Sequence, residues 1–172
     1  MSMTIIDNLY NRSLEIIKFL ENQNEVTYKS DYEEWFKKIL ILSVASYFES
    51  LVREIILKFT ENQAKNIYIY NFIRNKGIER QYHTYFDWDS KNANRFFSLF
   101  GDDFKKKCEK IIKSDLELEN SIKAFLELGQ TRNQLVHLNF AAYSLSKTSD
   151  EYYTEYREAM KFLSFFEGEL NR

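Results

Sequence analysis

The sequence predicts an all-α protein: a helical bundle of four main helices with additional short helices in the middle. The 172 residues include no proline and only four glycines, so the residues that most often interrupt a helix are nearly absent. Apolar residues recur at helical spacing and do not alternate with the period of a strand over more than a few positions. The length suits one domain, residues 1–172, built on one core.

The first two main helices are predicted in the N-terminal third of the chain. Amphipathic spacing predicts a helix over residues 4–20, and the polar stretch 21–30 predicts a break after it. Residues 32–59 hold one continuous apolar stripe and predict the central helix of the bundle. That stripe consists of Phe36, Leu40, Val44, Tyr47, Leu51, Ile55 and Phe59.

The middle of the chain is less regular. Asn, Tyr and Arg replace periodic Leu and Ile over residues 61–90, and Gly77 predicts a break between short helical pieces. We interpret this segment as an insertion or a mobile region. Residues 93–99 and 104–112 predict short helices, the second with a turn and start signal at residues 101–103.

Helical spacing returns in the C-terminal third. It predicts the third main helix over residues 116–138 and the fourth from Ser149 or Asp150 to Leu170. Asp150 is the candidate N-cap of the last helix, because a short acidic side chain can accept a hydrogen bond from a free N–H of the first turn.

Composition excludes several classes of protein. The single cysteine, Cys108, forms no intramolecular disulfide and with two histidines offers too few ligands for a zinc site. The N-terminus lacks the apolar core of a signal peptide, and charges interrupt every window long enough to span a membrane. These features predict a cytoplasmic protein with no cofactor and no membrane partner.

Charge is distributed unevenly along the chain. The net charge is −2, which argues against an electrostatically driven, indiscriminate coat on nucleic acid. Residues 65–113, however, contain 11 basic and 6 acidic side chains, so the middle is positive while both flanks are negative. A local basic patch for nucleic acid is compatible with this pattern.

The sequence Arg132-Asn133-Gln-Leu-Val-His137 carries the functional hypothesis. RNA cleavage without a metal needs a group that exchanges a proton near neutral pH and a fixed cation for the charge of the transition state. Histidine and arginine supply these two things. The spacing alone arises by chance in about one such sequence in four, but requiring Asn directly after Arg lowers the chance to about 2%.

Helix geometry constrains how these side chains meet. Asn133 and His137 are four positions apart and share a helix face, whereas Arg132 is rotated by about 140° from His137. On an ideal helix of one chain, Arg132 therefore points away from the face that contains His137. Either the helix begins or distorts near Arg132, so that the long side chain wraps round, or a second copy of the motif faces the first across a two-fold axis.

The 132–137 segment resembles the short form of the Arg-(four to six residues)-His motif of the HEPN family of metal-independent ribonucleases. Residues 46–55, which include Phe48 and Glu49, resemble the Phe-Glu-containing helix of the HEPN branch called RiboL-PSP. The similarity covers about residues 30–170. Residues 61–90 match no part of the family pattern and are interpreted as a family-variable insertion.

The resemblance implies an endoribonuclease in which His137 transfers the proton, Arg132 binds the phosphate or transition state, and Asn133 orients His137 or the substrate. The RNA 2′-hydroxyl would attack the adjacent phosphate and leave 2′,3′-cyclic phosphate and 5′-hydroxyl ends. The resemblance also implies a homodimer with a composite active site, a role as a toxin or antiphage-defence effector, and an antitoxin or nucleotidyltransferase as partner.

Alternative interpretations remain open. A non-catalytic HEPN module that binds RNA, nucleotide or a protein partner would keep the bundle and lose the chemistry, and a structural interaction domain would need only the aromatic-rich helices. Taken singly, His137 is better explained by a hydrogen bond to a carbonyl or an acid and Arg132 by an ion pair of the bundle. Only in combination with Asn133 do they favour catalysis.

Further residues are secondary candidates. Glu49 lies one position off the apolar stripe and either supports the site by pairing with Arg132 or His137 or is a solvated residue. His83 has no second metal ligand at helical spacing, which argues against a metal site there. The lysines of residues 105–113 are interpreted as the solvated face of a helix. Candidate RNA-binding residues, interleaved with aromatic ones that include Tyr82 and Trp88, are Arg74, Lys76, Arg80, Lys91 and Arg95, and ordinary surface exposure and packing explain them as well.

Overall fold

A computed structural model describes residues 3–172 of the chain. These residues form eight α-helices and one π-helical turn and contain no strand, which confirms the predicted all-α bundle with four main helices. The helices are α1 (Ile5–Asn22), α2 (Val26–Gln63), α3 (Ile67–Ile73), α4 (Tyr82–Tyr85), α5 (Asn94–Ser98), α6 (Asp102–Ile112), α7 (Leu116–His137) and α8 (Ser149–Leu170), with the π-helical turn Arg74–Ile78 between α3 and α4.

Helix α2 is longer than the sequence pattern predicts. The break after α1 covers only residues 23–25, where Asn24 adopts φ 57°, and α2 then begins at Val26 rather than near residue 32. The predicted break over residues 21–30 is therefore wrong in extent. Lys29 explains the difference, since it pairs with Glu21 at 2.5 Å and with Glu33 at 3.8 Å, so this polar stretch is a solvated helix start.

Phe36, Leu40, Val44 and Ile55 of the predicted stripe on α2 are buried, but the buried face is wider than that stripe. Phe48 and Val52 are fully buried, whereas Tyr47 and Leu51 are only half-buried. The reason is that α2 packs against α7 and α8 on one side and against α1 on another, so its apolar surface is wider than one stripe. The Phe48 ring packs 5.1 Å from Phe125 of α7.

The segment between α2 and α5 is anchored to the bundle by aromatic side chains. Phe86 is buried and packs against Phe96, Phe125 and Phe162, with ring centroids 4.5, 5.0 and 6.4 Å away. The predicted break at Gly77 is wrong, because Gly77 continues the helical path inside the π-helical turn. The helical path ends instead after Ile78, and Arg80 then adopts φ 61°.

The ends of α7 and α8 position the candidate motif. Asp115 caps α7 by accepting a hydrogen bond from the Leu118 amide at 3.0 Å, and α7 runs without interruption to His137. The N-cap of α8 is Thr148, which forms a capping box with Glu151, and not the predicted Asp150. Among residues 3–172, no helix combines the length and the apolar character needed to cross a membrane.

Candidate active site

The candidate motif occupies the last two turns of α7. Arg132 and Asn133 are half-buried and His137, the final residue of the helix, is exposed. The guanidinium of Arg132 donates to the side-chain oxygen of Asn133 at 3.1 Å. In this conformation Asn133 therefore holds Arg132, whereas the sequence suggested that it orients His137 or the substrate.

Arg132, Asn133 and His137 all line one open cavity of about 700 Å³. Its walls are residues 42–49 of α2, residues 129–137 of α7 and residues 80–88 of the connecting segment. The helix neither begins nor distorts near Arg132, yet the long arginine side chain reaches the same space as the imidazole. One chain thus brings both groups together without the distortion of α7 that ideal helix geometry suggested.

Glu49 enters the same cavity from α2. It is half-buried, and across the described residues no ion pair within 4 Å joins it to Arg132 or His137. The charge of Glu49 affects the neighbouring Tyr82. Burial raises the pKa of the Tyr82 phenol far above its ordinary value. The negative charge of Glu49 raises this pKa further, and the positive charge of Arg132 lowers it. Glu49, Tyr82 and Arg132 therefore lie within electrostatic reach of one another.

Trp88 forms the wall of the cavity next to the motif. Its ring lies directly on Gly129, where a built Cβ atom would come within 2.1 Å of a ring carbon. Gly129 is one helical turn before Asn133, so the missing side chain lets the indole approach α7 closely beside Arg132 and Asn133. A glycine inside a long helix is unfavourable by itself, and here close packing explains it.

A second cavity, of about 500 Å³, adjoins the first. His83, Trp88, Asn133 and His137 line both cavities, so the two adjoin at the end of α7, and together they are called the cleft below. Arg95 lines the far part of this cleft.

Only two of the five candidate RNA-binding residues border the cleft. Arg80 lines the first cavity and Arg95 the second. Arg74 lies 3.9 Å from Glu79, Lys76 is exposed on the π-helical turn, and Lys91 lines a separate cavity of about 330 Å³. The basic middle of the chain is therefore not one continuous track.

The loop after α7 is tied to α2 by a buried lysine. Lys38 donates from Nζ to the carbonyl oxygens of Phe140 and Ala141 at 2.8 and 3.3 Å, and its ammonium lies 5.3 Å from the centre of the Phe140 ring. Burial of an ammonium is costly unless it is hydrogen-bonded, and these two carbonyls satisfy it. The loop that follows His137 is thereby held against α2.

The sequence pattern placed Tyr82 and Trp88 only among the aromatic residues interleaved with the basic candidates, did not indicate Gly129 as a site residue, and set His83 aside. One signal was available, since Gly129 interrupts an otherwise good helix-forming stretch only four positions before Asn133. The other three residues reach the cleft through tertiary packing of the connecting segment. Within residues 3–172 no three His, Cys, Asp or Glu side chains group as metal ligands would.

The class defined by this fold and cleft is an α-helical bundle with an Arg-Asn…His motif at the end of a long helix. A family model described as RiboL-PSP-HEPN matches residues 7–172. The chain belongs to this HEPN-type family, as the 132–137 and 46–55 segments indicated. No curated protein and no solved structure matches the chain significantly.

Proposed function

We propose that the protein is a metal-independent endoribonuclease that acts in the cytoplasm as a toxin or antiphage-defence effector. The observation that carries this proposal is the convergence of Arg132, Asn133 and His137 with Glu49 in one cavity. Arginine and histidine in one open cleft are the pair that phosphodiester transesterification needs: a fixed cation and a proton-transfer group.

In the proposed mechanism the RNA 2′-hydroxyl attacks the adjacent phosphorus, the bond between phosphorus and O5′ breaks, and 2′,3′-cyclic phosphate and 5′-hydroxyl ends result. Arg132 binds the phosphate and balances the charge that develops on its oxygens. His137 transfers a proton in the same step. Asn133 fixes the guanidinium by the hydrogen bond at 3.1 Å, and Glu49 supplies a negative charge across the cavity.

We further propose that the working form is a homodimer whose two clefts face each other. Val136 and Leu138, the neighbours of His137, are exposed apolar residues. Trp35 and Ile39 form a second exposed apolar pair one turn apart on α2, beside the Lys38 that holds Phe140. A second copy of the chain would cover this apolar surface and place a second motif near the first.

Residues 1–172 would then act as one catalytic domain, in which residues 61–90 vary within the family and adapt the cleft to its own RNA. An antitoxin or nucleotidyltransferase partner would restrain the activity until it is needed. The exposed position of His137 suits such restraint, because a partner that covers the cleft blocks it directly.

The test is incubation of the purified protein with RNA in excess chelator, followed by analysis of the product ends. We expect cyclic phosphate and 5′-hydroxyl ends, and a rate lowered by ~10²–10⁴-fold in His137→Ala and ~10²–10³-fold in Arg132→Ala. Binding of RNA or nucleotide without cleavage, in the presence of partners, would instead identify a non-catalytic HEPN module and contradict the proposal.

A further inference from the structure

His83 and His137 are the only histidines of the chain, and both line the same cleft. Each borders the cavity between α2 and α7 and also the adjoining cavity that leads to Arg95. Both side chains are exposed to solvent. His83 comes from the connecting segment and His137 from the end of α7, so two separate parts of the fold deliver an imidazole to one place.

Trp88 fixes the position of His83 relative to α7. The indole Nε1 donates to the carbonyl oxygen of His83 at 3.0 Å, and the same indole lies on Gly129. Gly129 precedes His137 by about two helical turns. One hydrogen bond and one close ring contact therefore connect the backbone of His83 to the helix that carries His137.

The entry to this segment is also constrained. Glu79 pairs with Arg53 of α2 at 3.0 Å, and the next residue, Arg80, adopts the left-handed φ of 61°. This conformation is unfavourable for a residue with a Cβ atom and persists where the surroundings enforce it. The turn at Arg80 brings both Arg80 and His83 to the cavity that contains Arg132.

Cleavage by the 2′-hydroxyl involves two proton transfers. The proton of the 2′-hydroxyl passes to a base as the 2′-O–P bond forms, and O5′ receives a proton from an acid as the P–O5′ bond breaks. Guanidinium groups such as those of Arg80 and Arg132 do not give up protons in proteins. In an in-line displacement O2′ and O5′ lie on opposite sides of the phosphorus, so one imidazole is poorly placed to serve both, and a second proton-transfer group completes the step.

We propose that His83 is this second group, and that His83 and His137 divide the two proton transfers as base and acid. This assignment rests on the proposed endoribonuclease function and deepens it. Both histidines belong to the same chain, so each cleft of a dimer contains its own pair. The proposed dimer also brings a second motif near the first, so His137 of the partner subunit competes with His83 for this role. Arg132 and Arg80 bind the phosphate between them, and Glu49 is the competing proton-transfer group that borders the same cavity.

The test compares two oligoribonucleotides that differ at one atom of the cleavage site mapped with unmodified RNA. One has the ordinary phosphodiester, and the other has sulfur in place of O5′, which leaves as a thiolate without protonation. We expect His83→Gln and His137→Gln each to cleave the ordinary RNA ~10²–10⁴-fold more slowly than wild type. The sulfur substrate restores a near wild-type rate to only one of the two variants, the one that lacks the acid.

Thr84→Ala is the matched control, because Thr84 is exposed on the same helical turn and borders neither cavity of the cleft. It should cleave both substrates at the wild-type rate, and thermal unfolding confirms that each variant is folded. Cleavage of ordinary RNA by His83→Gln at the wild-type rate would overturn the inference. So would a sulfur substrate that restores the rate of both histidine variants, or of neither. Restoration of the rate of Glu49→Gln by the sulfur substrate would overturn it as well. Failure of the wild-type protein to cleave any RNA would instead overturn the proposed function itself.

Discussion

Gly129 lies on α7 under the ring of Trp88, one turn before Asn133. Replacing a helical glycine by alanine normally stabilises a protein by up to about 1 kcal/mol. In Gly129→Ala the new methyl group would lie 2.1 Å from the indole, so either Trp88 or the helix must shift. We expect unfolding free energy to fall by about 1–3 kcal/mol and RNA cleavage to slow, because the wall of the cleft moves.

Gly168→Ala provides the control for this prediction. Gly168 also lies inside a long helix, α8, but no atom approaches its built Cβ position within 4 Å. This substitution should leave stability unchanged or raise it, and cleavage should not change. Denaturant unfolding and initial cleavage rates measure both effects. Equal behaviour of the two alanine variants would contradict the contact between Trp88 and Gly129.

At the scale of elements, Asp7 connects the first helix to the last. Its carboxylate accepts hydrogen bonds from the Thr4 amide at 2.7 Å and the Tyr153 hydroxyl at 2.8 Å, and Arg157 lies 3.2 Å away. Burial by itself raises the pKa of Asp7, but these hydrogen bonds and the charge of Arg157 outweigh it, and the pKa is lowered overall. Deprotonated Asp7 therefore stabilises the packing of α1 on α8.

The sign of the pH dependence follows from this lowered pKa. The stabilisation is fully present above the unfolded-state pKa of about 4 and is lost as the pH falls through the lower folded-state pKa. Asp7→Asn should cost about 2 kcal/mol of unfolding free energy at pH 7 and clearly less at pH 3. Denaturant unfolding at both pH values measures this, with the exposed Asp31→Asn as control. A cost that is the same at both pH values would contradict the account of Asp7.

The extent to which sequence predicts these elements depends on how local their causes are. The four long helices follow from apolar periodicity, which is a local property, and all four are present. The choice of Phe48 over Tyr47 as the buried residue of α2 depends on which helices pack on each side. The choice of Thr148 over Asp150 as N-cap depends on where α8 begins, and helix ends are poorly marked in sequence.

The residues of the candidate site were likewise predictable from the sequence only where the cause of their position is local. Arg132, Asn133 and His137 were found because they share one helix and one short motif, and Glu49 because its position on α2 is close to the buried face. His83, Tyr82 and Trp88 come from a segment whose sequence pattern is irregular, and the packing of its aromatic side chains on Phe125 of α7 brings them to the cleft. Long-range contacts of this kind leave no periodic signal in the sequence.

At the scale of the whole molecule, the proposed dimer makes Trp35 a critical residue. Trp35 is 70% exposed, an unfavourable state for so large an apolar side chain unless a partner covers it. Trp35→Glu should convert the dimer to a monomer in light scattering coupled to size-exclusion chromatography and slow RNA cleavage in parallel.

Phe72→Glu is the control, because Phe72 is 69% exposed but lies on α3, which follows the other end of α2. It should leave both the mass and the cleavage rate unchanged. A wild-type protein that is monomeric while it cleaves RNA, or an equal effect of the two substitutions, would contradict the proposed interface.

The most direct test of the proposed active site uses a DNA oligonucleotide with a single ribonucleotide at the cleavage site mapped in RNA. In excess chelator, the wild-type protein should cut once, directly 3′ of the ribonucleotide, and leave a 2′,3′-cyclic phosphate, because only that position offers a 2′-hydroxyl. His137→Gln should leave the strand intact. Cleavage at a deoxyribonucleotide, or cutting that persists at the wild-type rate in His137→Gln, would contradict transesterification by the Arg132–His137 centre.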